Sequence, residues 1–346
     1  MDSVYVKERM DHHHVKGLSI AFVKNGEISE TLCLGVRDKD NEQKIDTDTL
    51  FHACSMSKFV TAMAVLKLVE KGLLEIDGDV NKMLSTWRIP DHAFTKNVTI
   101  RHLLSHQSGI VDAEGSFYEF NEQDGIPSMV DLLEGRTPYH REPVKVSVEP
   151  GSEFHYSDAG FCILQQVIED VTGKEFSVVL SELIFEPLQM NNSTVNFEPT
   201  GKFASGHNKL GEVVKGKYPI YPYPAAAGLW STPSEVAALV LELTLSIKGQ
   251  SKIDLSAHLA REMVSPQGGM NWSGLGVFLD ETEHGMEFSS LGWGVGFQSM
   301  MAAHPDIASG VVVMTNADLG VHQLDGIIGE VYRNYLSGIE ENGSSC

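Results

Sequence analysis

Cysteine is scarce. The chain has four in 346 residues, Cys33, Cys54, Cys162 and Cys346, and no two form a Cys-x-x-Cys pair. Structural disulfides and zinc knuckles need paired or closely spaced thiols, so neither is expected and all four read as free thiols. Basic charge is short as well. Against 47 Asp and Glu there are 26 Lys and Arg, a formal net charge of −21. A surface that acidic repels phosphate backbones and anionic lipid headgroups, which excludes nucleic acid and membrane surfaces as expected partners. No apolar run approaches the roughly 18 residues of a membrane span; candidates such as residues 310–314 have strand length. The first eight residues carry neither a basic start nor an apolar stretch, so the expected compartment is the cytoplasm. Internal repeats and low-complexity stretches are also missing.

What the chain does have is two kinds of hydrophobic period. Residues 18–23 and 28–34 alternate around Asn25-Gly26, a pair that tolerates the positive φ of a tight hairpin turn. Residues 298–303 and 310–315 repeat the plan around His304-Pro305-Asp306. Both chain ends thus supply antiparallel strands. Between them the period becomes helical: Lys58 to Lys71 is a run of helix formers stopped by Gly72, residues 100–105 have helical spacing, and residues 161–171 are helical up to Gly173. The expected architecture is α/β (α+β), with an antiparallel sheet flanked by helices. Residues 1–70 and 207–346 form the sheet domain, residues 71–206 an inserted, mostly helical domain, and a cleft lies where they meet. The polar tail from Gly338 to Cys346 is expected to fray.

Ser55-Met56-Ser57-Lys58 opens the first strong helix, where residues three apart share a face, so Ser55 and Lys58 sit side by side. A serine hydroxyl is a weak nucleophile and needs a base. A lysine serves if burial disfavours its charged form and lowers a pKa of about 10.4. The helix N-terminus favours negative charge developing at the reacting centre. The plainer alternative makes Ser55 a helix cap and Lys58 a solvated side chain, and a Ser-x-x-Lys arises by chance about once in a chain this size. Burial tips the balance: Phe59, Val60, Ala62, Met63, Val65 and Leu66 make the helix apolar over most of its circumference, which puts the lysine near a dry environment.

Other constellations fall short. Gly292, Gly294 and Gly296 suggest a phosphate loop, but the third glycine of Gly-x-Gly-x-x-Gly falls at Phe297. There is no Gly-x-Ser-x-Gly elbow for an α/β-hydrolase. His102 and His106 have the i, i+4 spacing of metal ligands without the glutamate of His-Glu-x-x-His, so both read as structural. His12-His13-His14 reads as an exposed polar run. Cys54, placed on the helix with Ser55, points about 100° away from it and into the core. No metal and no cofactor is expected.

Several segments recur in an order and spacing that is specific as a set: Phe51-His52-Ala53-Cys54-Ser55-Met56-Ser57-Lys58; Thr99 through Leu103-Leu104-Ser105-His106-Gln107-Ser108-Gly109; Glu149-Pro150-Gly151 through His155-Tyr156-Ser157-Asp158 to Phe161; Glu186-Pro187-Leu188-Gln189-Met190; Ala226-Ala227-Gly228-Leu229-Trp230-Ser231-Thr232; and Gly274-Leu275-Gly276-Val277. Together they resemble the serine β-lactamase and penicillin-binding protein superfamily, in particular its branch of class C β-lactamases, D-amino-acid peptidases and related esterases. The resemblance covers most of the chain. It implies a cofactor-free serine hydrolase acting on a small-molecule or peptide-like ester, amide or lactam. Ser55 attacks the carbonyl carbon and becomes acylated, while Lys58 and Tyr156 form the proton network for acylation and deacylation. On the plainer view Tyr156 is a packing aromatic.

Two positions depart from the family pattern. Asp158 stands where the family usually has Asn, replacing an amide donor by an acceptor; near Lys58 it favours the charged lysine and shifts the base role toward Tyr156. The family's Lys- or His-x-Gly becomes Ser290-Leu291-Gly292, which lacks the cation that helps hold a substrate carboxylate. Neutral esters, amides or lactones gain over penicillins. The backbone N–H groups of Ser55 and Trp293 are the expected oxyanion hole. These departures also motivate an alternative, a catalytically slow acyl-binding or sensor protein of the same fold.

Overall fold

Asn25 and Gly26 take φ of 54° and 78°, the left-handed backbone that a two-residue hairpin turn requires. Strand β1 (Gly17–Lys24) therefore folds straight back on β2 (Glu27–Asp38), with Leu18 opposite Leu34 and Lys24 opposite Glu27. The computed structural model describes residues 2–120, 123–196 and 201–343. Its other strands are β3 (Gln43–Lys44), β4 (Phe51–Cys54), β5 (Leu229–Ser231), β6 (Phe278–Thr282), β7 (Gly285–Gly294), β8 (Phe297–His304) and β9 (Ser309–Thr315). Seven of these strands form one antiparallel sheet in the order β3-β2-β1-β9-β8-β7-β6, while β4 pairs with β5 apart from it. Residues 18–23 of β1 pair with residues 310–315 of β9, so the sheet is indeed assembled from both chain ends.

The helices are α1 (Ser3–His12), α2 (Ser57–Glu70), α3 (Ile100–Leu104), α4 (Met129–Leu133), α5 (Asp158–Thr172), α6 (Phe176–Leu180), α7 (Pro224–Ala227), α8 (Pro233–Ile247), α9 (Ala257–Met263) and α10 (Ile327–Gly343). Along the central strands both sheet faces are covered, so the alternation of side chains separates two cores rather than core from solvent. Leu18, Ile20, Met300, Ala302, Val311 and Val313 pack with Val6 and Met10 of α1 and with Ile327, Ile328 and Val331 of α10. Ala21, Val23, Met301, Ala303, Val312 and Met314 join the larger core, which takes in α2, α5 and α8. Among the described residues, 71–206 contribute α3 to α6 and no strand of the seven-stranded sheet.

Three expectations are corrected at the periphery. The C-terminal segment does not fray from Gly338 but is helical through Gly343. Ile327, Ile328, Val331 and Tyr335 give α10 an apolar stripe that its polar residues disguise. Positions 344–346, Cys346 among them, lie outside the described residues; Cys33, Cys54 and Cys162 are unpaired thiols. The histidine run is not simply exposed. It closes α1, and His13 Nε2 lies 3.0 Å from Glu330 Oε1 of α10, beside an Arg9 guanidinium that grips the same carboxylate at 2.7 Å with two nitrogens. Cys54 is buried as expected but ends β4 instead of lying on a helix. Among the described residues no helix is long and apolar enough to cross a membrane.

Candidate active site

Strand β4 delivers the chain to the site and Cys54 turns it. Cys54 has φ of 49°, a left-handed conformation that a non-glycine residue holds only when its surroundings fix it. Here they do. Cys54 N donates to His52 Nδ1 at 3.0 Å, and Ser57 Oγ donates to Cys54 O at 2.6 Å while accepting from Leu229 N of β5 at 2.9 Å. Ser55 therefore stands in the turn just before α2 instead of inside it, and it is partly exposed. Every residue of α2 from Ser57 to Leu68 is buried, as the all-round apolar pattern predicts.

Lys58 is 2% exposed, and its ammonium is surrounded. Nζ lies 3.3 Å from Ser55 Oγ, 3.0 Å from Ala226 O and 2.6 Å from Asp158 Oδ1, and it sits 4.7 Å from the ring centre of Tyr156. Burial alone pulls the lysine pKa down, but the attraction of Asp158, and after it that of the Tyr156 phenol, reverses the sign and moves it upward. Lys58 is charged at neutral pH.

Tyr156 lies in the loop that leads into α5 and is 41% exposed. Its ring stacks on His106 at 4.4 Å between centres. His106 Nδ1 accepts a hydrogen bond from Ser157 N at 3.1 Å, and burial followed by the charge of Lys58 holds this histidine well below its ordinary pKa. A neutral ring thus backs the phenol. His102 is structural: it forms a reciprocal cap with Thr99 at the start of α3. His106, read as structural too, is buried, holds Ser157 N and lines the same cavity as Ser55.

That cavity, about 20 Å³, is bounded by Ser55, Lys58, His106, Tyr156, Ser273, Gly276, Val277, Phe278, Ser290 and Leu291; it has room for about one water. Gly276 has φ of 72°, and a Cβ there would overlap that of Ala62 in α2, which explains the glycine of Gly274-Leu275-Gly276-Val277. The pairing of β6 with β7 ends at Phe278 opposite Ser289, so among the described residues no strand covers that edge of β7 as it runs on past the cavity. Ser290 is buried and faces the cavity without a charge. Gly292 does not line it. Its missing Cβ lets β7 pack against Ala53 O, one residue before Cys54, and against Ser299 Oγ. Trp293, next along β7, does not line it either; it is 45% exposed, with Nε1 donating to Asp318 Oδ1 at 2.8 Å.

The structure thus brings Ser55, Lys58, Tyr156 and Ser290 around one cavity, sets Asp158 against Lys58, and leaves Gly292 and Trp293 next along β7. Sequence reasoning missed three residues here. Ser57 was passed over as the middle of a motif, His106 was read as structural inside its Leu-Leu-Ser-His-Gln-Ser-Gly segment, and Asp112, three residues after that segment, carried no signal.

With a sheet closed by both chain ends, helices on both faces, and a Ser-x-x-Lys facing a tyrosine at the sheet edge, the chain belongs to the beta-lactamase family, whose model matches residues 4–327. It is 26% identical over 323 residues to Protein flp of Staphylococcus aureus strain MW2, covering 90% of this chain and 61% of that protein. It is 29% identical over 216 residues to penicillin-binding protein 4 of Amycolatopsis lactamdurans, covering 61% of this chain and 54% of that one. The chain therefore spans less than two thirds of the length of these relatives. The fold is shared with the D-amino acid amidase of Ochrobactrum anthropi SV3, with a TM-score of 0.79, 24% identity, and coverage of 97% of this chain and 98% of the other. It is shared too with the octameric penicillin-binding protein homologue of Pyrococcus abyssi, with a TM-score of 0.74, 24% identity and coverage of 91% and 74%.

Proposed function

We propose that the protein is a serine hydrolase that acts through a Ser55 acyl-enzyme on an ester, amide or lactam bond. The observation that carries this reading is a buried, charged lysine 3.3 Å from a serine hydroxyl, beneath the face of a tyrosine. Because Asp158 keeps Lys58 protonated, the base is the phenolate form of Tyr156, which takes the proton of Ser55 as Oγ attacks the carbonyl carbon. The ammonium, 4.7 Å from the centre of the Tyr156 ring, favours that phenolate before the transfer, and the transfer leaves a neutral phenol. The backbone N–H groups of Ser55 and Trp293 receive the oxyanion. Tyr156 then gives the proton to the leaving alcohol or amine, and in deacylation takes one from the attacking water and returns it to Ser55.

The site lies where segments 1–70 and 207–346 meet the inserted helical segment 71–206, and this division into two domains is part of the proposal. Ser290 offers one neutral hydroxyl where a cation would hold a carboxylate, which favours neutral esters and amides over penicillins. The comparison with a D-amino acid amidase supports amides as one substrate class.

Asp158 and Ser290 also favour a second reading, an acyl-binding or sensor protein in which Ser55 is acylated and hydrolysis stalls. Intact-mass spectrometry after exposure to a fluorophosphonate, a penicillin and an activated ester separates the two. A transient adduct with turnover is the expected result, a persistent ester adduct assigns the sensor, and the absence of any adduct on Ser55 defeats both.

A further inference from the structure

The Lys58–Asp158 pair is backed by a second carboxylate that the mechanism above does not use. Asp112 accepts three hydrogen bonds from the start of α5: Oδ1 takes Ser157 Oγ at 2.7 Å and Ala159 N at 3.3 Å, and Oδ2 takes Asp158 N at 2.6 Å. That turn presents the Asp158 carboxylate to Lys58. It also fixes the other side of the site, because Ser157 N donates to the ring of His106, on which Tyr156 stacks. One loop carboxylate therefore holds both the counter-ion of the lysine and the platform of the tyrosine.

Its chemical surroundings make the grip sensitive to charge. Asp112 meets Asp158 and Cys162 of α5, with Lys58 of α2 beyond Asp158, and the neutral ring of His106 is reached through Ser157 N. Burial, and after it the negative charge of Asp158, pushes the Asp112 carboxyl up to about 6. An ionised Asp112 accepts all three bonds and repels the neighbouring carboxylate toward the ammonium. A protonated one gives up part of its accepting capacity and the repulsion together.

We propose that Asp112 is a positioning residue for the Lys58–Asp158 pair: by gripping the first turn of α5 and repelling the Asp158 carboxylate, it makes attack by Ser55 depend on its own ionisation. The proposal rests on the serine-hydrolase reading. It is tested by following the rate at which a fluorophosphonate labels Ser55 across pH 4.5–8.5, read by intact mass as the Oγ–P bond forms and fluoride leaves, with folding checked by circular dichroism. The wild-type rate should fall as the pH drops through about 6. Asp112→Asn, which turns an amide donor toward the α5 donors, should label about tenfold more slowly at pH 8 and lose the acid limb. Asp112→Glu keeps the charge and should retain the limb, which guards against misreading a folding defect. A D112N chain that is slower at every pH with its acid limb intact has lost only structural support, and the positioning role is overturned while the serine-hydrolase reading stands. A wild-type chain that takes no adduct at any pH overturns both.

Discussion

Two carboxylates on opposite sides of the sheet, a partly exposed Asp158 and a buried Glu287, meet opposite partners, and the contrast shows what sets the charge in such neighbourhoods. Asp158 faces an ammonium at 2.6 Å. Glu287, beneath α10, faces Tyr332, whose hydroxyl donates to Oε2 at 2.7 Å, and His304, whose Nε2 lies 3.3 Å away. Burial pushes Glu287 up to about 7 even against the tyrosine hydrogen bond. Burial, aided by His284, brings His304 down to about 4, so this histidine is no cation at neutral pH. Desolvation dominates where no cation is paired with the carboxylate. Glu330 marks the other extreme on the same helix: hydrogen bonding from Arg9, reinforced by His13, holds it at about 2. Each of the three is at least partly withdrawn from solvent, and the partner chemistry differs: an ammonium for Asp158, a phenol and a neutral histidine for Glu287, a guanidinium for Glu330.

The comparison can be broken most forcefully at the lysine. Lys58→Met removes the cation and keeps the volume, leaving Asp158 in the position of Glu287. Labelling of Ser55 should fall by about a thousandfold, and near-normal labelling would show that the ammonium is not part of the chemistry. A smaller effect is expected at its partner. In Asp158→Asn burial is no longer opposed by the carboxylate, so Lys58 should give up its proton at a lower pH, visible in an NMR titration of labelled lysine Nζ. An unmoved titration removes the coupling.

The smallest effect is on stability, at Glu287. Because its folded pKa is raised, Glu287 contributes stability that is fully present below its ordinary pKa of about 4.5 and is lost as the pH rises through about 7. Glu287→Gln should flatten that dependence, so thermal melts of variant and wild type should converge at pH 5 and separate by a few degrees at pH 8, with the variant higher. Equal pH slopes would mean that Glu287 is already neutral or already compensated.

How far the sequence carried the argument depends on the range of the interactions concerned. The Asn25-Gly26 hairpin was legible because its turn chemistry lies within two residues. The stop of α2 at Gly72 and of α5 at Gly173 was legible for the same reason, each glycine taking the left-handed backbone there, at φ of 70° and 65°. The Ser55–Lys58 spacing could be read from residue types alone, and the charge consequence of Asp158 followed from the family resemblance that set it near Lys58. Helices α1 and α10 could not, since Arg9 and His13 find Glu330 more than 300 positions away. The turn at Cys54 was equally hidden: the sequence places Ser55 on a helix, and a left-handed cysteine leaves no mark in composition. His106 and Asp112 became visible as site residues only when α5 was laid against the loop that follows α3.

The adjacency of β1 and β9 has a kinetic consequence. Strand β1 finds its central neighbour β9 only after some 290 further residues have emerged from the ribosome, a remote loop closure. Until then the early hairpin has an open edge and the turn bearing Ser55 has no β7 to lean on. Assembly of the crevice therefore waits on the β7–β9 segment, and a nascent chain halted before it displays every catalytic candidate up to Asp158 without the wall that would make them one site.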